Sequence, residues 1–160
     1  MNLRDITGKE LILTELKSEI RAEVLREMLN VVAARRGLNS PQVETYLAEI
    51  LRRHDRSPSG LGRGLAFPNA RLEEIERPAL AIGLSRRGLD FESRDGKPAH
   101  VIFMYLGRSQ PPPEERQMLT RLSTSLGGPD HAARFMAATT ADDVWEAVLA
   151  MDRPEPVAAR

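Results

Sequence analysis

The chain has 160 residues, no cysteine, and 23 basic against 23 acidic side chains, a formal net charge of zero. That length suits one domain, and 41% hydrophobic residues are enough for a sizeable core. Charge balance speaks against a general nucleic-acid binder, the absence of Cys excludes disulfides and thiolate metal sites, and no apolar run reaches the length of a membrane span.

The first residues, Met1 to Ile6, lack the apolar core of a signal peptide, so a cytoplasmic domain without membrane insertion is expected. Residues 18–36 are predicted as an amphipathic helix. Ile20, Val24, Met28 and Val32 form one apolar row, with Leu25 and Leu29 beside it. Ser18 is the expected N-cap and Gly37 the stop. A second helix is expected with Ser40 as N-cap, Pro41 in its first turn, and Val43, Leu47, Ile50 and Leu51 buried. Its pattern breaks over Arg52 to Pro58. The glycine segment follows: Gly60-Leu61-Gly62-Arg63-Gly64-Leu65-Ala66-Phe67-Pro68-Asn69.

Strands are predicted at Leu65–Phe67, Ala79–Leu84 and Val101–Leu106, the last buried on both faces after an Asp95-Gly96-Lys97-Pro98 turn. Helix returns over 114–126, breaks at Gly127-Gly128-Pro129-Asp130, and resumes over 131–137. Thr140 caps a last helix with Asp142 and Asp143 in its first turn. The domain is expected over 1–151, with 152–160 a disordered tail. Helices, then strands, then helices predict an α/β layered domain with helices covering a mixed sheet.

The glycines are loosely like a dinucleotide-binding loop. That fingerprint needs a strand before and a helix after, whereas this segment follows a helix and enters a strand. His54, His100 and His131 are not at metal-ligand spacing. Glu73-Glu74, Glu114-Glu115 and Asp142-Asp143 read as solvated or dipole-complementing charges. No Ser-His-Asp arrangement is suggested, and no cofactor or metal is called for.

Residues 57–69 resemble the active-site segment of the type 2 enzyme IIA domains of the bacterial phosphotransferase system, the fructose, mannitol and nitrogen-regulatory kind. In that family the pattern Gly-x-Gly-x-Ala-x-Pro-His ends on the phosphoacceptor His. Here the register gives Gly62-Arg63-Gly64-Leu65-Ala66-Phe67-Pro68 and then Asn69. The resemblance covers most of 1–151. The family's Arg-Glu pair falls on Arg53-His54, its Asp-Gly-x-Pro turn on Asp95 to Pro98, and its second His nearest to Glu115. The implied fold is a three-layer α/β/α domain with a mixed sheet of about four or five strands. The implied activity is cytoplasmic phosphoryl transfer from a phosphocarrier protein, or regulation through phosphorylation state.

A phosphoryl carrier needs a side chain that is nucleophilic at neutral pH, and His imidazole serves. An Asn amide donates and accepts hydrogen bonds, but its nitrogen lone pair is delocalised. Under the resemblance, Asn69 therefore marks a silent acceptor position. The expected function is a regulatory protein that binds its partner independently of phosphorylation. The expected binding residues are Asn69, Arg53, Arg63, Gly62, Gly64, Pro68 and Glu115. Implied partners are a transporter, a kinase or a phosphotransferase component, the phosphocarrier protein among them. Two alternatives stay open: a phosphoryl carrier using His54 or His100, and a small-anion or nucleotide sensor built on the glycines and Arg53. Plainer readings stand beside these. Asn69 ends a strand or turn, Arg53 is a solvated helix-end charge, Arg63 is exposed, His54 is solvated in a basic turn, and His100 is structural.

Overall fold

The computed structural model describes residues 1–153. Two short 3-10 turns, Leu3–Asp5 and Lys9–Leu11, lead into β1 (Ile12–Leu13). There follow α1 (Arg21–Arg36), α2 (Ser40–Arg56), β2 (Gly60–Gly62), β3 (Leu65–Ala66), β4 (Asn69–Leu72), β5 (Ala79–Leu89) and β6 (Ala99–Arg108). The chain then forms α3 (Pro113–Leu126), α4 (Pro129–Ala137) and α5 (Ala141–Asp152).

Local chemistry accounts for most boundaries, and corrects some expectations. α1 begins at Arg21, because Ser18 Oγ accepts from the Ile20 N–H in a turn that precedes the helix. It ends at Gly37, which adopts φ +77°, a conformation that favours glycine. α2 is capped by Asn39, not Ser40: Asn39 Oδ1 accepts from the Gln42 N–H and Gln42 Oε1 from the Asn39 N–H, both at 2.9 Å. α2 also runs through the expected break to Arg56. Its polar last turns are held by Arg52 on Glu49 and by the buried His54. That extension places Arg53 and His54 on a rigid helix end.

The sheet has six strands, in the order β1-β5-β6-β3-β2, with β4 also paired to β6. β5 and β6 form the long antiparallel centre, with Ile82 opposite Phe103. β3 and β4 lie successively along β6, both parallel to it, with Leu65 opposite Val101 and Asn69 opposite Tyr105. Between them Pro68 has no N–H to donate, but its carbonyl accepts from the Tyr105 N–H at 3.0 Å. Six strands exceed the expected four or five, and β1, β2 and β4 were not located from the sequence; they are two to four residues long and carry no usable periodicity.

Side-chain alternation along the strands divides the core into two. Ala66, Ala70, Ala81, Ile102 and Met104 pack against α1 and α2. Leu65, Leu80, Ile82, Val101, Phe103 and Tyr105 pack against α3, α4 and α5. This is the three-layer α/β/α architecture. Asp152, expected in the tail, belongs to the fold. Its carboxylate accepts from the Leu3 and Arg4 N–H groups at 2.7 and 3.1 Å, which fastens α5 to the N-terminal turn. Of the expected tail, residues 154–160 lie outside the described residues. Among those described, no helix is long and apolar enough to cross a membrane.

Candidate functional site

A cleft of about 470 Å³ opens between the C-terminal end of α2 and the start of β4. Ile50, Arg53, His54, Ser59, Phe67 and Asn69 are among its walls. Asn69 opens β4, and its side chain is fixed from two sides. Its Oδ1 accepts from Arg53 Nε at 3.1 Å, and its Nδ2 donates to the Phe67 carbonyl at 3.3 Å. Pro68 is buried beside it on the same wall.

Arg53 is half-buried and forms no ion pair with a carboxylate among the described residues. Burial first, and then the charge of Arg71, pushes its pKa below the usual arginine value. Arg71 lies two residues beyond Asn69 on β4, and its buried Nε has no hydrogen-bond partner among the described residues. Arg53 is thus partly desolvated and repelled by Arg71, with the Glu49 charge offsetting this only in part, a costly arrangement of the kind that gathers at functional sites. Sequence reasoning missed Arg71, because only the strand β4, which the sequence did not reveal, puts residues 69 and 71 on one side.

The glycines serve a different end of the segment. Gly62 and Gly64 both adopt φ +85°, with Arg63 between them at +56°. They form the tight turn joining β2 and β3. Arg63 does not reach the cleft. Its N–H donates to Asp95 Oδ2 at 3.0 Å, and its guanidinium donates to the Gly127 carbonyl. Gly64 faces Met136 so closely that a Cβ would collide with its sulfur. The Gly64 carbonyl accepts from the His100 and Val101 N–H groups. This turn therefore sits at the start of β6, whereas Asn69 sits opposite Tyr105, roughly 17 Å further along at ~3.3 Å per residue.

His100 shares that distant end. Its Nδ1–H donates to the Ser85 carbonyl at 2.8 Å, a structural bond, and it is not on the cleft wall. Glu115, in the first turn of α3, is buried rather than lining the cleft; its Oε1 accepts from Arg108 Nε at 3.2 Å and its Oε2 has no partner among the described residues. Its charge, after burial itself, helps push the Tyr105 phenol well above its ordinary pKa.

His54 is not solvated; it is 2% exposed. Its Nδ1 lies 2.8 Å from Ser59 Oγ and accepts from the Ser59 N–H at 3.1 Å. Its Nε2 lies 2.8 Å from Glu92 Oε2. Both ring nitrogens are engaged, so a phosphoryl group on His54 would displace one of these partners. The sequence suggested no serine–histidine–carboxylate arrangement, yet the fold builds one. Glu92 is 38 residues from His54, and no local signal ties them.

The family model described as "Phosphoenolpyruvate-dependent sugar phosphotransferase system, EIIA 2" matches residues 5–151. The fructose-specific EIIABC component of Bacillus subtilis is 31% identical over 96% of this chain, but this chain spans only 24% of that protein's length. A nitrogen regulatory protein of Bradyrhizobium diazoefficiens is 28% identical over 94% of this chain and 96% of its own length. Among solved structures, the nitrogen regulatory protein IIA-Ntr of Neisseria meningitidis superposes with a TM-score of 0.78 at 20% identity, over 89% of this chain and 96% of that one. The Escherichia coli mannitol enzyme IIA, in complex with phosphorylated enzyme IIB, superposes at 0.69 with 22% identity, over 89% and 96%.

Proposed function

Because this chain belongs to the phosphotransferase-system EIIA 2 family, we propose that it is a regulatory member that docks a phosphotransferase partner at the Asn69 cleft and relays no phosphoryl group through residue 69. The observation that carries this reading is the bond from Arg53 Nε to Asn69 Oδ1. In the family pattern this position belongs to the phosphoacceptor His. Here a neutral amide stands in its place and offers Arg53 an oxygen. The amide is not a nucleophile, so the surface keeps the character of an unphosphorylated one whatever the flux through the system.

Arg53 and Arg71, lacking carboxylate partners among the described residues, suit a partner that brings an anionic group. The mannitol relative was solved with phosphorylated enzyme IIB. An enzyme IIB component or the phosphocarrier protein is the partner class by analogy, in the cytoplasm where those components work.

The test is a relay assay with phosphoenolpyruvate, enzyme I, phosphocarrier protein and an enzyme IIB acceptor, read as phosphoryl reaching enzyme IIB. The wild type is expected to pass none while still binding, and Asn69→His is expected to restore passage. Relay by the wild type would overturn the reading.

A further inference from the structure

The cleft that holds Asn69 also holds a hydroxyl that the docking reading leaves unused. We propose that Ser59 is an activated nucleophile, with His54 as its base, and that it accepts a phosphoryl group as a serine ester. The electrophile class rests on the family reading; the activation of Ser59 does not.

The protonation of His54 follows from its neighbours. The Ser59 N–H points at Nδ1, so Nδ1 carries a lone pair and not a proton. The ring proton then sits on Nε2 and donates to the Glu92 carboxylate at 2.8 Å. The basic end of the imidazole therefore faces Ser59 Oγ at 2.8 Å. A nucleophile within hydrogen-bond reach of a base, with that base oriented by a third group, is the signature of an activated side chain. The ring has little freedom: it is 2% exposed, and Phe91 meets it edge-on with centroids 6.0 Å apart.

Gly60 makes the arrangement possible. Its N–H donates to the Phe91 carbonyl at 3.0 Å, and a Cβ there would lie 2.7 Å from that oxygen. This close approach brings the Phe91–Glu92 segment to the residue after Ser59. Glu92 itself is held at φ +53°. It touches only His54 in this set and acts as a positioning residue.

The cleft matches a phosphoryl electrophile. Ser59 is half-exposed on the same wall as Arg53, Arg56 and Asn69. Guanidinium and amide N–H groups stabilise the charge of a transferring phosphoryl group. With a phosphoramidate donor such as a protein phosphohistidine, the Ser59 hydroxyl proton moves to His54 Nδ1 as the Oγ–P bond forms. The donor's P–N bond breaks, its electron pair leaves on the donor nitrogen, and that nitrogen takes the proton from His54. The Glu92 carboxylate steadies the transient imidazolium. The product ester lacks the transfer potential of phosphohistidine, so it is a dead end rather than a relay step.

The test uses the full chain with three reagents: a fluorophosphonate, the small donor phosphoramidate, and phosphorylated phosphocarrier protein. The readouts are intact mass, the labelled peptide and acid stability. The expected result is a single acid-stable adduct on Ser59, absent from Ser59→Ala and retained in Ser59→Thr. His54→Gln is expected to slow fluorophosphonate labelling roughly a hundredfold with the fold retained in thermal melts. Glu92→Gln is expected to move the proton NMR signal of the His54 Nε2–H, which a packing role alone would not do. No adduct from the fluorophosphonate or from phosphoramidate, an acid-labile adduct on a histidine, or equal labelling of a folded His54→Gln variant would each overturn the proposal. Labelling by both small reagents without transfer from the phosphocarrier upholds Ser59 and counts against the docking reading instead.

Discussion

Arg53 Nε donates to Asn69 Oδ1 at 3.1 Å, joining the last turns of α2 to the first residue of β4. The bond ties a cation that lacks a carboxylate partner among the described residues to a neutral amide. It makes the charge at residue 69 the variable that sets what the cleft accepts.

Asn69→Asp adds a carboxylate at that point. Its charge would neutralise Arg53 internally and compete with an anionic partner for the guanidinium groups. Affinity for the enzyme IIB or phosphocarrier partner is expected to fall about tenfold, or ~1.4 kcal/mol. Titration calorimetry on wild type and variant checks this, and equal affinities would remove residue 69 from the interface.

Arg53→Met separates docking from folding. The variant loses one hydrogen bond but also relieves burial of a charge and its repulsion by Arg71. These terms oppose each other, so stability is expected to change by less than ~1 kcal/mol. Partner affinity is expected to drop by at least as much as in Asn69→Asp. Chemical denaturation beside a binding assay distinguishes this from a general loss of structure.

Gly64→Ala tests the turn that launches β3. The residue sits at φ +85°, and a Cβ would run into Met136. Destabilisation of about 1–3 kcal/mol is expected. Adding Met136→Ala should recover only the steric share, leaving the backbone strain in place. Denaturant midpoints of the single and double variants report the split.

Asp95 ties the same turn to the loop before β6. The N–H groups of Arg63 and then Lys97 hold its carboxyl below the ordinary value of 3.8. A depressed folded-state pKa gives stability that is present above the unfolded value and lost as pH falls through the folded one. Wild type is therefore expected to lose stability more steeply than Asp95→Asn as pH drops below about 4. Melting temperatures at stepped acid pH check the slope, and parallel curves would refute it.

The long elements were legible because they carry periodic patterns. The rows of α1 and α2, the apolar runs of β5 and β6, and the Thr140 cap of α5 each announce themselves within a few residues. The boundaries at Ser18, Ser40 and Arg52 shifted because caps and last turns are settled by individual hydrogen bonds. The short strands β1, β2 and β4 escaped notice because two to four residues gain their identity only from the strand beside them.

The site divides in the same way. Sequence by itself determined that a glycine segment ends at Pro68-Asn69, a matter of residue identity; that residue 69 stands at a phosphoacceptor position is what the family resemblance implies, and it is part of the proposal. Only the tertiary structure decided which groups meet there. It left Arg53 at Asn69, carried Arg63 and His100 to the far end of β6, and buried Glu115 in the first turn of α3. It also closed Ser59, His54 and Glu92 into one chain of hydrogen bonds. Contacts across such separations depend on how helix and sheet pack, and a side chain's neighbours, more than its type, fix which charge is exposed and which base is aimed.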